Sequence, residues 1–246
     1  MNRIVVVCED EPDFRAARIL ADRVLMNGVE WLRDQNLDDF RDWTGLDESR
    51  PYLVWKSLRE DVRRTAPREP KGIFGKFAGE SGAPDAWAAR FALLAIAGLS
   101  ESPAAVILLR DADSQQNERR RGLEQGRASL PNPPPFAVVV GLADPKREAW
   151  ILAGFSPKTD DERRRLADLR RQLTFDPTRE PNRLRGRHDE RDIKRVVKTL
   201  ANDSTREDGC LQEIALDEIG PDVGLREFVD ELRSWLVPAF EGERTA

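Results

Sequence analysis

Three short runs of consecutive apolar residues, at positions 4–8, 104–109 and 136–140, constrain this chain more than any other feature of it. Each has the length of a strand and is too short for a typical helix. Each is apolar at nearly every position instead of alternating, so both faces must be buried, as in a parallel sheet covered by helices. The segments between them read as those helices. Pro12 suits a first helical turn, and Phe14, Ala17, Leu20 and Val24 follow at helical spacing. Residues 87–99 read as a second, largely buried helix, 118–128 as a polar one and 147–153 as a short one directly after the third strand. Residues 29–65 carry Trp31, Trp43 and Trp55, with Leu58 and Val62 in helical register, and read as a helical insert. The Gly- and Pro-rich stretch 66–85 reads as a loop and the proline cluster around Pro133 as a stiff connector. The expectation is an α/β fold: a parallel sheet flanked by helices over residues 1–160, then a mainly helical extension over 161–246.

Composition removes several kinds of chemistry. There is one histidine, His188, so a histidine-built zinc or phosphodiesterase centre is excluded. Cys8 and Cys210 share no ligand spacing and form no disulfide framework. The longest apolar stretch, 91–99, is about half of the ~20 residues a bilayer span needs, and Met1-Asn2-Arg3 runs straight into the first strand. A cytoplasmic protein with no membrane partner is expected. The net charge of −5 is unevenly spread: residues 163–198 hold thirteen Lys/Arg against six Asp/Glu, and residues 199–246 hold four against twelve. The basic stretch suits either a path for phosphates or a solvated helix face.

What chemistry remains must run on carboxylates, lysines and arginines. In open α/β sheets, ligands gather beyond the carboxyl ends of the strands. The first strand delivers Glu9 and Asp13 there, the second delivers Asp111 and Asp113, and Glu148 opens the helix after the third. Clustered carboxylates repel unless a cation neutralises them, and hard oxygen ligands favour Mg²⁺ or Mn²⁺. Glu9, Asp111 and Asp113 are the expected primary ligands, with Asp13 and Glu148 as further ligands or orienting groups. Acids in a helix's first turn are also favoured by the macrodipole, so Asp13 and Glu148 carry both readings. Lys194 or Lys198 is the expected basic group that steadies charge on a reacting phosphate. Arg119, Arg120, Arg121, Arg164 and Arg187 are the expected nucleic-acid contacts.

Val7-Cys8-Glu9-Asp10-Glu11-Pro12-Asp13 resembles the first motif of the TOPRIM fold, a hydrophobic strand followed by Glu-Gly-x-x-Glu/Asp. Leu108-Leu109-Arg110-Asp111-Ala112-Asp113 is similar to its Asp-x-Asp motif. Lys146-Arg147-Glu148-Ala149-Trp150-Ile151-Leu152-Ala153, Arg119-Arg120-Arg121-Gly122-Leu123 and Lys194-Arg195-Val196 resemble motifs of a bacterial branch of the overcoming-lysogenization-defect type. The resemblance covers about residues 3–200. It implies a TOPRIM-like sheet, a divalent-metal site, and phosphodiester cleavage of DNA or RNA. It also implies a role such as the effector of an anti-phage system beside an ATPase partner, whose contact is expected at the acidic C-terminal region. Monomer or homo-oligomer is left open. Asp10 stands where the family has glycine, which the close approach of backbone to phosphate would favour.

Two other readings compete. The segment 5–15 resembles the acidic first loop of a phosphoacceptor receiver domain, but Trp55-Lys56-Ser57-Leu58-Arg59 stands where the acceptor aspartate is needed. The other is a TOPRIM scaffold that has lost catalysis and serves as a binding or regulatory subunit of an ATPase complex.

Overall fold

The computed structural model describes residues 1–47, 49–65, 76–130, 134–185, 189–220 and 222–241. It contains a five-stranded sheet of β1 (Asn2–Cys8), β2 (Arg41–Thr44), β3 (Leu53–Val54), β4 (Ala105–Asp111) and β5 (Ala137–Ala143). The order is β2-β1-β4-β5, with β3 also on β1. The partners of β1 all run parallel to it: β2 along its first half, β3 along its last two residues, and β4 on the other side with Ile4 opposite Ala105 and Val7 opposite Leu108. Ile4 to Cys8 are fully buried, as the unbroken apolar run requires.

The helices are α1 (Glu11–Gly28), α2 (Leu58–Thr65), α3 (Ala83–Ala97), α4 (Gln116–Ala128), α5 (Glu148–Gly154), α6 (Asp160–Leu173), α7 (Ile193–Leu200), α8 (Ser204–Glu213), α9 (Leu225–Glu231) and α10 (Val237–Glu241). This is the parallel α/β sheet with a helical C-terminal region that the apolar runs predict. No described helix is long and apolar enough to cross a membrane.

Packing divides the chain into two compact units. The first holds Met1–Arg110, Asn117–Gly141 and Phe228–Ala246, and the second Asp111–Gln116 and Leu142–Glu227. In the first, alternate residues Val5 and Val7, Val106 and Leu108, and Val138 and Val140 of the sheet form one core face. That face packs with α2 (Leu58, Val62), α3 (Phe91, Ala92, Ile96) and Leu123 of α4, while α1 lies along β1. In the second, α5 packs on α7 and α8, and α6 on α7. Trp150 of α5 is fully buried and its Nε1 donates to Val223 O at 2.8 Å, a core tryptophan with its polar atom satisfied.

The insert expected to be helical needs correction. Residues 29–65 contain α2 and two short 3₁₀ turns, but also β2 and β3, which extend the sheet. Arg41-Asp42-Trp43-Thr44 has no apolar run because β2 is an edge strand, half exposed, so the signal that marks the buried strands is missing from it.

Candidate functional site

The carboxyl end of β1 delivers Glu9 and Asp13, as expected, and both belong to the first unit. Asp10, extended at φ −157°, caps α1 by accepting from the N–H of Asp13 at 3.2 Å. This backbone needs no glycine, so the aspartate has a local reason to be there. Asp13 is buried, and its Oδ2 accepts from the N–H of Glu9 at 3.2 Å. Its position is that of a first-turn helix acid. The Glu9 carboxylate faces two arginines, Arg119 at 3.6 Å and Arg110 at 3.8 Å. Arg110 is itself paired with Asp85 and lies over the Trp55 ring, whose Nε1 holds Leu109 O at 2.8 Å.

The second unit contains the denser cluster. After β4 the chain turns sharply, with Asp113 and Ser114 both in the left-handed region (φ 45° and 71°). Residues with a Cβ adopt that conformation at an energetic cost, and such sites are often functional. Two backbone bonds lock this turn to the end of β5 and the loop after it: Ala112 N–H to Ala143 O at 2.8 Å, and Asp113 N–H to Pro145 O at 3.1 Å. Lys146 is thereby placed against both acids, its Nζ 3.1 Å from Asp111 Oδ2 and 2.5 Å from Asp113 Oδ1. The other oxygen of Asp111 accepts from the N–H of Arg147 at 2.9 Å. Buried Arg147 reaches Glu207 at 3.2 Å and Glu148 at 3.8 Å, and exposed Lys194 lies 3.9 Å from Glu148.

Burial pushes the Asp111 carboxyl up from its ordinary range, opposed by the charge of Lys146 and the Arg147 N–H and reinforced by Glu148. Burial acts to lower the Lys146 ammonium, but the hydrogen bond to Asp113 and the charge of Asp111 outweigh it and hold the group well above its usual value. The charged form of Lys146 is thereby favoured between the two acids.

Asp111, Asp113 and Glu148 thus fall in one cluster, and Lys194 reaches its rim through Glu148. Lys198 is exposed. Lys146 and Arg147, which carry most of the cluster's positive charge, had no role assigned from the sequence alone. Their signal was position, in the loop at the carboxyl end of a buried strand and just before Glu148. Of the expected nucleic-acid contacts, Arg119 is committed to Glu9, while Arg120 and exposed Arg121 have no ion-pair partner among the described residues. Arg164 is exposed and 3.8 Å from Asp161, and Arg187 lies outside the described residues.

Among the described residues no three His, Cys, Asp or Glu side chains gather closely enough to hold a metal ion by themselves. The Asp111–Asp113 pair nonetheless fits Mg²⁺, which keeps several waters and commonly takes only one or two carboxylates plus phosphate oxygens. Both acids already direct an oxygen at a single cation. Comparison with protein-family models, with curated proteins and with solved structures gives no match.

Proposed function

We propose that this chain is a Mg²⁺- or Mn²⁺-dependent phosphodiesterase acting on nucleic acid. The observation that carries the reading is the Asp111–Lys146–Asp113 bridge at the carboxyl end of β4. Two hard-oxygen donors aimed at one positive charge, beside a second buried acid in Glu148, form the donor set such chemistry uses. When bound, the ion neutralises phosphate charge and lowers the pKa of a coordinated water. Asp111 and Asp113 would hold it. Asp111 is oriented for this by the Arg147 N–H, while Glu148 is held by Arg147 and Lys194. Lys146 offsets part of the pair's charge when no ion is present, and its ammonium can donate to a phosphate oxygen while still bonded to Asp111. Glu9 and Asp13 enter this reading through the resemblance of their motif.

A second reading, an inactive scaffold serving an ATPase partner, is favoured by one specific feature: the acids already face cations from within, Asp111 and Asp113 sharing Lys146 and Glu9 facing Arg119 and Arg110. The deciding experiment incubates the purified protein with labelled single- and double-stranded DNA and RNA and Mn²⁺, while melting curves are recorded with and without the ion. Cleavage lost in Asp111→Asn and Asp113→Asn, with loss of a Mn²⁺-dependent rise in Tm, supports the phosphodiesterase. No cleavage and no metal-dependent rise leaves the scaffold.

A further inference from the structure

Beside the Lys146–Asp113 bridge the second unit contains an open cavity of about 520 Å³, lined by Asp113, Ser114, Asp144, Pro145, Lys146, Asn182, Leu184 and Arg185. We propose that this cavity is a subsite for one nucleotide unit, with Arg185 and Lys146 receiving its phosphate and Asn182 meeting the base edge. The proposal rests on the phosphodiesterase reading for its place in a reaction, but on the cavity alone for its ligand.

Size is the first argument. The volume falls in the roughly 300–1,000 Å³ range of small-molecule sites. The second is rigidity. On one wall, Leu184 is 1% exposed and its N–H bonds to Pro181 O at 3.0 Å, which fixes the turn carrying Asn182. Arg185 is pinned from both sides, its N–H to Arg191 O and its C=O from Ile193 N–H, each at 2.9 Å. On the other wall, the Asp113 turn is tied to Pro145 O, and Asp144 N–H to Val223 O at 3.0 Å. The walls are set before any ligand arrives, which limits the ordering cost of binding.

The third argument is charge and donor inventory. The lining holds two cations, Lys146 and Arg185, and two acids, Asp113 and Asp144. A bare anion would meet as many carboxylates as cations and gain little. A ligand with phosphate at one end and N–H or O–H donors at the other satisfies both signs. Burial and the charge of Asp222 push Asp144 up from its ordinary range, and as a carboxylate it accepts from such a donor. The side chains of Arg185 and Asn182 make no hydrogen bond or ion pair with the described residues. Arginine is suited to phosphate oxygens. The Asn182 amide offers both a donor and an acceptor, the pairing a base edge presents, and Leu184 and Pro145 supply an apolar flank.

The test is calorimetric titration of the full chain, in EDTA, with each of the four 5′-nucleoside monophosphates, with a nucleoside, and with inorganic phosphate. The monophosphates should saturate the protein at least tenfold more tightly than phosphate or nucleoside alone. Arg185→Ala should weaken them at least tenfold with partial recovery in Arg185→Lys, and Asn182→Ala should alter the ranking among the bases. Both positions are exposed, and circular dichroism verifies that the variants fold. No monophosphate binding up to millimolar concentration, phosphate binding as tightly as the nucleotides, or indifference to Arg185→Ala would each overturn the subsite. Because metal is absent, these outcomes separate from the cleavage assay. Nucleotide binding without cleavage keeps the subsite and removes the phosphodiesterase, and cleavage with no monophosphate binding does the reverse.

Discussion

Lys146 shows how one side chain sets the balance of a site. Removing it in Lys146→Met leaves Asp111, 8% exposed, beside Asp113 with their shared counter-ion gone. Breaking a fully buried pair costs roughly 3–5 kcal/mol. Asp113 is partly solvated here, so a loss of about 2 kcal/mol is expected in denaturant titration. If the pair binds a divalent ion, the variant should recover stability with millimolar Mg²⁺ to a greater extent than the parent, since the ion then supplies the positive charge the variant lacks. Cys8 offers a second residue-level test. Its thiol is fully buried and bonds to Asp10 O at 3.2 Å, and burial, then the charges of Asp13 and Asp10, push its pKa far up. Burial likewise raises Cys210, to about 11. A folded pKa above the unfolded value of 9.0 gives stability that is full below pH 9.0 and lost as pH rises above it. Each thiol should therefore steepen the alkaline loss by up to about 1.4 kcal/mol per pH unit. Cys8→Ser should show a shallower decline in denaturation midpoint above that pH than the parent, and an equally steep decline would contradict the assignment.

At the level of elements, two contacts decide how helices sit on the sheet of the first unit. The N-terminus of α3 and the helix α4 meet through glycine: a Cβ on Gly122 would lie 2.4 Å from Gly82 O, and one on Gly126 2.5 Å from Ala89 Cβ. Gly82 also has φ +80°. The Arg119-Arg120-Arg121-Gly122-Leu123 motif thus has a packing role, in which Gly122 permits the approach, Leu123 enters the core and Arg119 reaches Glu9. Gly122→Ala should cost about 1–3 kcal/mol by overpacking, read as a lower Tm, with α4 too far out for Arg119 to pair as before. The edge strand β5 is guarded by Glu231 of α9, which accepts from Val140 N–H at 3.1 Å and from Arg127 at 2.6 Å. Glu231→Ala frees a strand N–H and removes the carboxylate partner of Arg127, which keeps Val138 O at 3.2 Å. Such charged hydrogen bonds contribute roughly 1.5–3 kcal/mol, and the uncapped edge should also raise aggregation in light scattering.

Over the whole molecule, charge is more compensated than the composition by segment suggests. The arginines of α6 mostly pair one helical turn away, Arg163 with Asp160 at 2.6 Å and Arg165 with Asp161 at 3.2 Å, while Arg170 meets Asp176 at 2.6 Å. The acidic C-terminal region is also used internally, Glu207 by Arg147, Glu213 by Lys158 and Glu231 by Arg127. Arg120 and Arg121 have no such partner among the described residues, so they are the better phosphate contacts. If nucleic acid binds, affinity should fall with salt. Arg120→Glu should reduce the slope of log affinity against log salt by about 1, whereas Arg164→Glu, already facing Asp161, should change it less. Equal slopes in gel-shift titrations across salt would place the path elsewhere.

The sequence by itself determined the buried strands, because an unbroken apolar run has no other way to hide both of its faces. It also placed acids at the strand ends, because the chain leaves a parallel strand there and function gathers where it leaves. It could not show β2, whose polar edge position leaves no apolar run, nor the two compact units, whose segments alternate along the chain. Only the tertiary structure selected Lys146 as the cation between Asp111 and Asp113. That choice depends on backbone bonds joining two loops more than thirty residues apart in sequence, a long-range register that no local pattern of residues encodes.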